Sequence, residues 1–310
     1  TGLEGSKGAI GRGQTFSTIH ICLAPQTLIR VADGFLKPIR EVVPNDQIIT
    51  HTGQLARVTA CWQSPRHHEL GRDLWLWGTF APLSVTRDHR VWTPTGWRAA
   101  RDLSAGDWVR HPVRKITHTI GAFSITQRKP GRPGQHPIQT RTLPLDRAWG
   151  YFGGLYLAEG SLGYKAGGGR HLPTSVQFSC DQSEADVFSL RIRAALGSLT
   201  KISVQRNTSR TRVLVVNNAG LARWVRETFG SKDEKRVPDW VWQAGPAFCL
   251  GLVEGYLDGD GHYVPGKNEI SAVSVRVQLP VQFRDLVASL GCGWSSITYR
   301  QAGVYYERNC

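Results

Sequence analysis

From Cys22 to about Val113 the apolar residues come in short runs broken by polar ones: TLIRV, DQIIT, ARVTACW, LWLWGTF, LSVT, RVWT and DWVRH. A period of two, with Gly, Pro and Asp between the runs, is the pattern of strands that bury one face, so this segment is predicted to be all-β. Within it GFLKPIREVVPNDQIIT (34–50) lies over GWRAARDLSAGDWVR (96–110), and a duplicated strand-turn-strand module is the economical reading. Residues 1–21 are glycine-rich and end in the apolar TFSTIHI, which fits one strand. Residues 114–145 lose the alternation and are basic and rich in Pro and Gly, which predicts a linker or a basic arm.

Beyond residue 145 the period lengthens. DRAWGYFGGLYLAEGS is predicted to be a helix, with Asp146 as N-cap and Gly160 at its end. SVQFSC, ISVQRN and RVLVVNN read as strands, and SEADVFSLRIRAALG and GLARWVRETFG as helices. GPAFCLGLVEGYLDGDG repeats the first helix, and ISAVSVRVQL, VQFRDLVASLG and WSSITYR follow as strand, helix and strand. The order predicts two pseudo-symmetric copies of an α-β-β-α unit, at about 146–245 and 246–310, in an α+β domain.

Length and charge narrow the partners. A chain of 310 residues suits about two domains. Lys plus Arg number 38 against 24 acids, a net charge of +14, which favours a polyanion, nucleic acid ahead of a membrane surface. No run approaches the ~20 apolar residues of a membrane span, and the start lacks a hydrophobic signal core, so no membrane partner and a cytoplasmic location are expected. The six cysteines form no C-x-x-C pair, against zinc or a disulfide framework. There is no methionine, so a segment of a longer translation product is expected.

Two weak motifs need weighing. GLEGSKG is not a phosphate loop, because Gly8 follows Lys7 where Ser or Thr is required. KPGRPG resembles an AT-hook core, with a solvated turn-rich linker as the other reading. Arg128, Lys129 and Arg132 of this arm, with Arg206, Arg210, Arg212 and Arg276 further on, are the candidate DNA contacts.

The two similar helices carry the chemistry. FGGLYLAEG (152–160) and VEGYLDGDG (253–261) share a glycine that permits close packing, here Gly153, Gly154 and Gly255, then large apolar residues, then an acid before a closing glycine. Glu159 and Asp260 sit where the helix dipole disfavours an anion, and side-by-side packing would make each raise the other's pKa. Such a pair calls for a cation, and Mg²⁺ fits carboxylates, waters and phosphate oxygens. An EF-hand pattern through Asp258, Asp260 and Glu269 fails in detail, since His262 and Tyr263 take its fifth and sixth positions and Pro265 follows.

These helices resemble the two motifs of the LAGLIDADG homing endonucleases, in a single chain carrying both repeats. The resemblance implies a monomer that cuts double-stranded DNA, reading the major groove with two saddle-like sheets. By position Glu159 and Asp260 would be the catalytic, metal-binding carboxylates. KRVPDWV (235–241) resembles the segment before the second helix, which makes Lys235 the lysine near the attacking water or the transition-state charge.

The β segment has its own resemblance. Cys22 followed by LAPQTLIRV, with LSVTRDHRVWTPTGW some sixty residues later, resembles the N-terminal half of an intein, the Hint (hedgehog/intein) fold. It implies that Cys22 attacks the Ile21–Cys22 peptide in an N-to-S acyl shift, that His89 protonates the leaving nitrogen, and that Thr86 polarises the same bond. Residues 1–21 would be host (extein) sequence, 22–113 the splicing domain, 114–145 the arm and 146–310 the endonuclease. GRGQTFSTIHI faintly resembles the approach to the ATPase acid motif of phage large terminases. The chain ends GVYYERNC with Arg308 where an intein has His, and 246–310 is shorter than 146–245, so truncation within the second repeat and no complete splicing are expected. The alternative is a DNA-binding or splicing-only relic whose nuclease has decayed, against which stands the presence of both acids.

Overall fold

Gly34 and Asn45 take left-handed backbone (φ 78° and 77°), as do Gly96 and Gly106 (φ 117° and 95°), and these turns bracket the two copies of the sequence repeat. The computed structural model describes residues 23–32, 34–63, 71–128, 138–164, 172–206, 208, 210–267 and 269–298, without the side chains of Gln127, Arg128 and Arg206. Two compact units are present, one running to Val113 and including residues from Ser295 on, the other Arg114–Trp294.

The first unit is built of antiparallel hairpins: β1 (Leu28–Arg30) with β2 (Leu36–Pro38), β3 (Gln47–Ile49) with β4 (Leu55–Arg57), β5 (Gly71–Leu74) with β6 (Leu83–Thr86), and β7 (Arg90–Thr93) with β8 (Gly96–Ala99). The repeat seen in sequence is a structural duplication. β2 runs into the 3₁₀ turn Ile39–Glu41 as β8 runs into Ala100–Asp102. Lys37 pairs with Asp46 at 2.7 Å, and Arg98 with Asp107 at 3.1 Å. Each aspartate accepts a bond from the main-chain N–H three residues before it, Val43 and Ser104. Ile39 N–H donates to the Thr27 carbonyl as Ala100 N–H donates to that of His89, so Thr27 and His89 occupy one position in the two copies.

Three predicted strands differ. Of ARVTACW only Ala56 and Arg57 are in one. DWVRH is not a strand, and of LWLWGTF only Leu74 is in one, because the partner strand β6 begins at Leu83 opposite it. Trp75 and Trp77 are left exposed. The buried cluster of this unit is small, made of Val85, Val91, Ala100 and Leu103.

The second unit holds the main core. The described parts of 114–145 are not a linker: β9 (Ala122–Arg128) and β10 (Ile138–Pro144) pair as antiparallel strands whose Ile125 and Leu143 are buried. Arg114 is buried and ion-paired with Asp239. α1 (Arg147–Glu159) follows, with the Asp146 carboxylate accepting from Trp149 N–H at 2.9 Å as the predicted cap. Then come β11 (Gly160–Tyr164), β12 (Pro173–Asp181), α2 (Ala185–Leu196), β13 (Ile202–Arg206), β14 (Thr211–Val216) and α3 (Ala219–Phe229). The antiparallel sheet has the order β11-β12-β14-β13, and Val176, Phe178, Leu214 and Val216 on its inner face pack into the helices' core.

α4 (Pro246–Asp260) opens the second copy, with β15 (Gly261–Val264), β16 (Glu269–Ala272) and α5 (Gln278–Ser289). The strand predicted over 270–279 stops at Ala272. β16 pairs with β15 alone among the described residues, and Val273 and Val275 are exposed. WSSITYR is not a strand over its described part.

α1 and α4 touch backbone to backbone. A methyl placed on Gly154 would fall 2.7 Å from the Tyr256 nitrogen and closer still to the Leu252 carbonyl oxygen. On Gly255 it would fall 2.8 Å from the Leu155 nitrogen and closer to the Tyr151 oxygen. Gly150 and Gly251 make the same contacts one turn earlier. Gly153, expected in this interface, faces the other way, where its methyl would lie 2.8 Å from the Phe229 ring.

Candidate functional site

Glu159 is the last residue of α1 and Asp260 the last of α4, and in each case a glycine, Gly160 or Gly261, leaves the helix directly into a strand. The glycine contacts equate 150 with 251 and 154 with 255, and that register carries Ala158 onto Gly259 and Glu159 onto Asp260. A methyl on Gly259 would lie 2.5 Å from Ala158 Cβ and 3.2 Å from Glu159 Cγ, so the carboxylate ends of the two helices are in contact.

The electrostatics follow from that contact. Burial raises the Glu159 pKa, and the charges of Asp260 and Glu184 raise it further, against the pull of Lys235. Burial also raises that of Asp260, opposed by Lys235 and Arg276. Two half-buried carboxylates at the negative ends of two helix dipoles form an acidic pair of hard oxygen donors. Among the described residues no group of three or more His, Cys, Asp or Glu side chains could hold a metal, so any cation here would rest on these two carboxylates, water and an incoming anion.

Lys235 is buried, 7% exposed, and its Nζ donates to the carbonyls of Leu157 (3.1 Å) and Ala158 (3.4 Å), over the Tyr156 ring. It satisfies carbonyls that α1 leaves open at its end, which is a structural role. It also brings a cation to the acidic pair. Burial, then the nearby Arg276, lower its pKa to about 8, while Asp260 and Glu159 act the other way.

Arg276, placed by sequence among DNA contacts, stands within electrostatic reach of Asp260 and Lys235. Glu184, beside the start of α2, acts on Glu159 and on the thiol of Cys180, which burial pushes up to about 11. Neither relation has a sequence signal, because both arise between distant segments. Gly150 and Gly251 were legible: extending the helix alignment one turn toward the N-terminus pairs them. Asp258 accepts a hydrogen bond from the Tyr151 hydroxyl at 2.9 Å and so ties α4 to α1 away from the acidic pair.

The other basic candidates are dispersed. Arg212 lies opposite Cys180 and donates to Gln182 at 2.7 Å, near the end of the sheet. Arg210 is exposed beside it, and Arg206 is paired opposite Arg212. Lys129 and Arg132 lie outside the described residues, as does the Arg128 side chain.

In the first unit Ile21 and Cys22, with the rest of residues 1–22, lie outside the described residues. Leu23 bridges to Val85, the neighbour of Thr86, and Ala24 N–H donates to the Ser84 carbonyl at 2.9 Å. His89 N–H donates to the Thr86 carbonyl at 3.1 Å. The His89 ring is half-buried, which lowers its pKa, and its Nδ1 is buried with no hydrogen-bond partner among the described residues. The matching Thr27 is satisfied, its hydroxyl donating to the Ser84 carbonyl at 2.9 Å.

No family model matches the chain. Among curated proteins it is similar to the ATP-dependent DNA helicase Hel308 of Thermococcus kodakarensis, 26% identical over 89% of this chain and 28% of the helicase. It is 27% identical to an iron-sulfur cluster assembly SufBD family protein of Mycobacterium tuberculosis, over 91% of this chain and 34% of that one. It is 26% identical to the DNA-directed RNA polymerase subunit Rpo1C of Methanocaldococcus jannaschii, over 43% of this chain and 14% of the subunit. The chain thus spans about a third or less of the length of these relatives. Among solved structures, mesophilic variants of the homing endonuclease I-DmoI align over 47% of this chain and 78% of theirs, at 13% identity and a TM-score of 0.37. An I-DmoI complex with nicked target DNA in the presence of Mn aligns with the same values.

Proposed function

We propose that this chain is part of an intein that carries a LAGLIDADG-type homing endonuclease: a β unit for protein splicing and a Mg²⁺-dependent nuclease that cuts double-stranded DNA. The nuclease reading is carried by one observation, the two carboxylates that end two helices in backbone contact, each raised by burial. An acidic pair with a buried lysine suits phosphodiester hydrolysis. Glu159 and Asp260 would hold the cation, which when bound would activate water and stabilise the leaving oxygen. Lys235 holds positive charge beside them, and the chain's net charge of +14 favours the DNA backbone.

The intein reading draws support from the relatives. A helicase, an iron-sulfur assembly protein and a polymerase subunit share no activity by name, yet each is similar to this chain over a limited share of its length. A segment with its own function, carried inside unrelated hosts, accounts for that distribution. In the first unit, the Cys22 sulfur would bond to the Ile21 carbonyl carbon as the C–N bond breaks. The thiol proton would pass to solvent, and the freed nitrogen would take a proton from His89. The buried Nδ1 of His89, without a hydrogen-bond partner among the described residues, is suited to that transfer.

The test uses a randomised duplex library with Mg²⁺. The wild-type chain is expected to select and cut a defined site, and Asp260→Asn, still folded, to cut none. Normal cutting by Asp260→Asn would sink the catalytic assignment. In the same preparation a thiol should release residues 1–21 from the wild type and not from His89→Ala.

A further inference from the structure

Lys232 is one of two non-glycine residues with positive φ among the described residues, at 49°, and it opens the 3₁₀ turn Lys232–Glu234 that leads to Lys235. A side chain other than glycine in this conformation is strained and persists only where its surroundings hold it. The carbonyl oxygen of Lys232 takes two donors. One is the backbone N–H of Lys235, at 3.4 Å. The other is Nε of Arg276, at 2.7 Å, and Arg276 is itself fixed by its own N–H donating to Ser274 Oγ at 3.1 Å.

The turn's own bond is long and the bond from Arg276 is short and charge-assisted, so the arginine is the stronger holder of this carbonyl. Lys235 is also held from the other side. Arg236 N–H donates to the Phe229 carbonyl at 2.9 Å, and Gln282 brackets Val237 with two 2.9 Å bonds. Of the two edges an arginine offers an anion, the one that includes Nε is already engaged by Lys232.

We propose that Arg276 is a positioning residue for Lys235: through the Lys232 carbonyl it holds the turn from which the lysine reaches the end of α1 beside Glu159 and Asp260. The catalytic consequence rests on the nuclease reading above; the structural one does not. Arg276→Lys keeps the charge and removes the Nε donor, so it separates the two roles of the side chain.

Three measurements decide the matter. In the DNA-free protein, amide hydrogen exchange over residues 232–235 should quicken in Arg276→Ala and Arg276→Lys alike. Single-turnover cleavage should fall about 10²-fold in both, the size of loss that misplacing a catalytic group brings, with DNA affinity in Ca²⁺ changed less than about threefold. In a Lys235→Met background the Arg276 substitutions should then cost nothing more, because the group they position is gone. Unchanged exchange, or losses that multiply with those of Lys235→Met while affinity drops, would overturn the proposal and make Arg276 a DNA contact. Faster exchange in a chain whose wild type cuts no DNA would sustain the positioning role and remove the nuclease reading.

Discussion

Gly154 of α1 packs against the carbonyl of Leu252 in α4 with no room for a side chain. Main-chain atoms, not interlocking side chains, set the distance between the two helices.

Gly154→Ala and Gly255→Ala are therefore expected to be among the most damaging single changes, each destabilising the second unit by about 3 kcal/mol or at the upper end of overpacking costs. Gly121→Ala, where an added methyl meets nothing within 4 Å, serves as control and should change stability little. Urea unfolding followed by tryptophan fluorescence measures both. A Gly154→Ala protein as stable as the control would mean that the helices can part without cost.

The acidic pair should destabilise the metal-free fold. Glu159→Gln and Asp260→Asn each remove a half-buried charge that its neighbour or burial disfavours, so each is expected to raise the thermal midpoint at neutral pH in chelator while abolishing cleavage. Adding Mg²⁺ should stabilise the wild type and leave Glu159→Gln unmoved. Equal Mg²⁺ responses in the two proteins would place the cation elsewhere.

Lys235 gives a pH dependence of definite sign. Its folded pKa, about 8, lies below the ordinary 10.5 of a lysine. Below pH 8 it is charged in both folded and unfolded chains and the burial penalty is constant. Between about pH 8 and 10.5 the unfolded chain keeps a proton that the folded one has lost, so this residue makes stability rise with pH. Across that window the wild type should gain on Lys235→Met in urea titrations. A difference independent of pH would return Lys235 to an ordinary titration.

Much of this was legible in the sequence where local pattern and tertiary role coincide. The helices ending in Glu159 and Asp260 announced themselves because glycine for close approach and an acid before a second glycine recur at one spacing. The repeat around Lys37–Asp46 and Arg98–Asp107 was readable for the same reason. The pair of β9 and β10 was missed. Its inward Ile125 and Leu143 alternate with Thr and Arg and flank a Pro- and Gly-rich stretch, so composition spoke louder than period. The strand expected through Val273 and Val275 had the right residues, but a strand also needs a neighbour, and sequence pattern does not supply one. Arg276 was noticed for its charge alone; its bond to Lys232 depends on two segments meeting.

The backbone contact between α1 and α4 has a consequence for how such a chain can change over time. With carbonyl oxygens and glycines fixing where the helices meet, the place of the two carboxylates does not depend on which apolar residues fill the outer faces. Aromatic and aliphatic replacements of similar volume can accumulate there while the acids stay where they are.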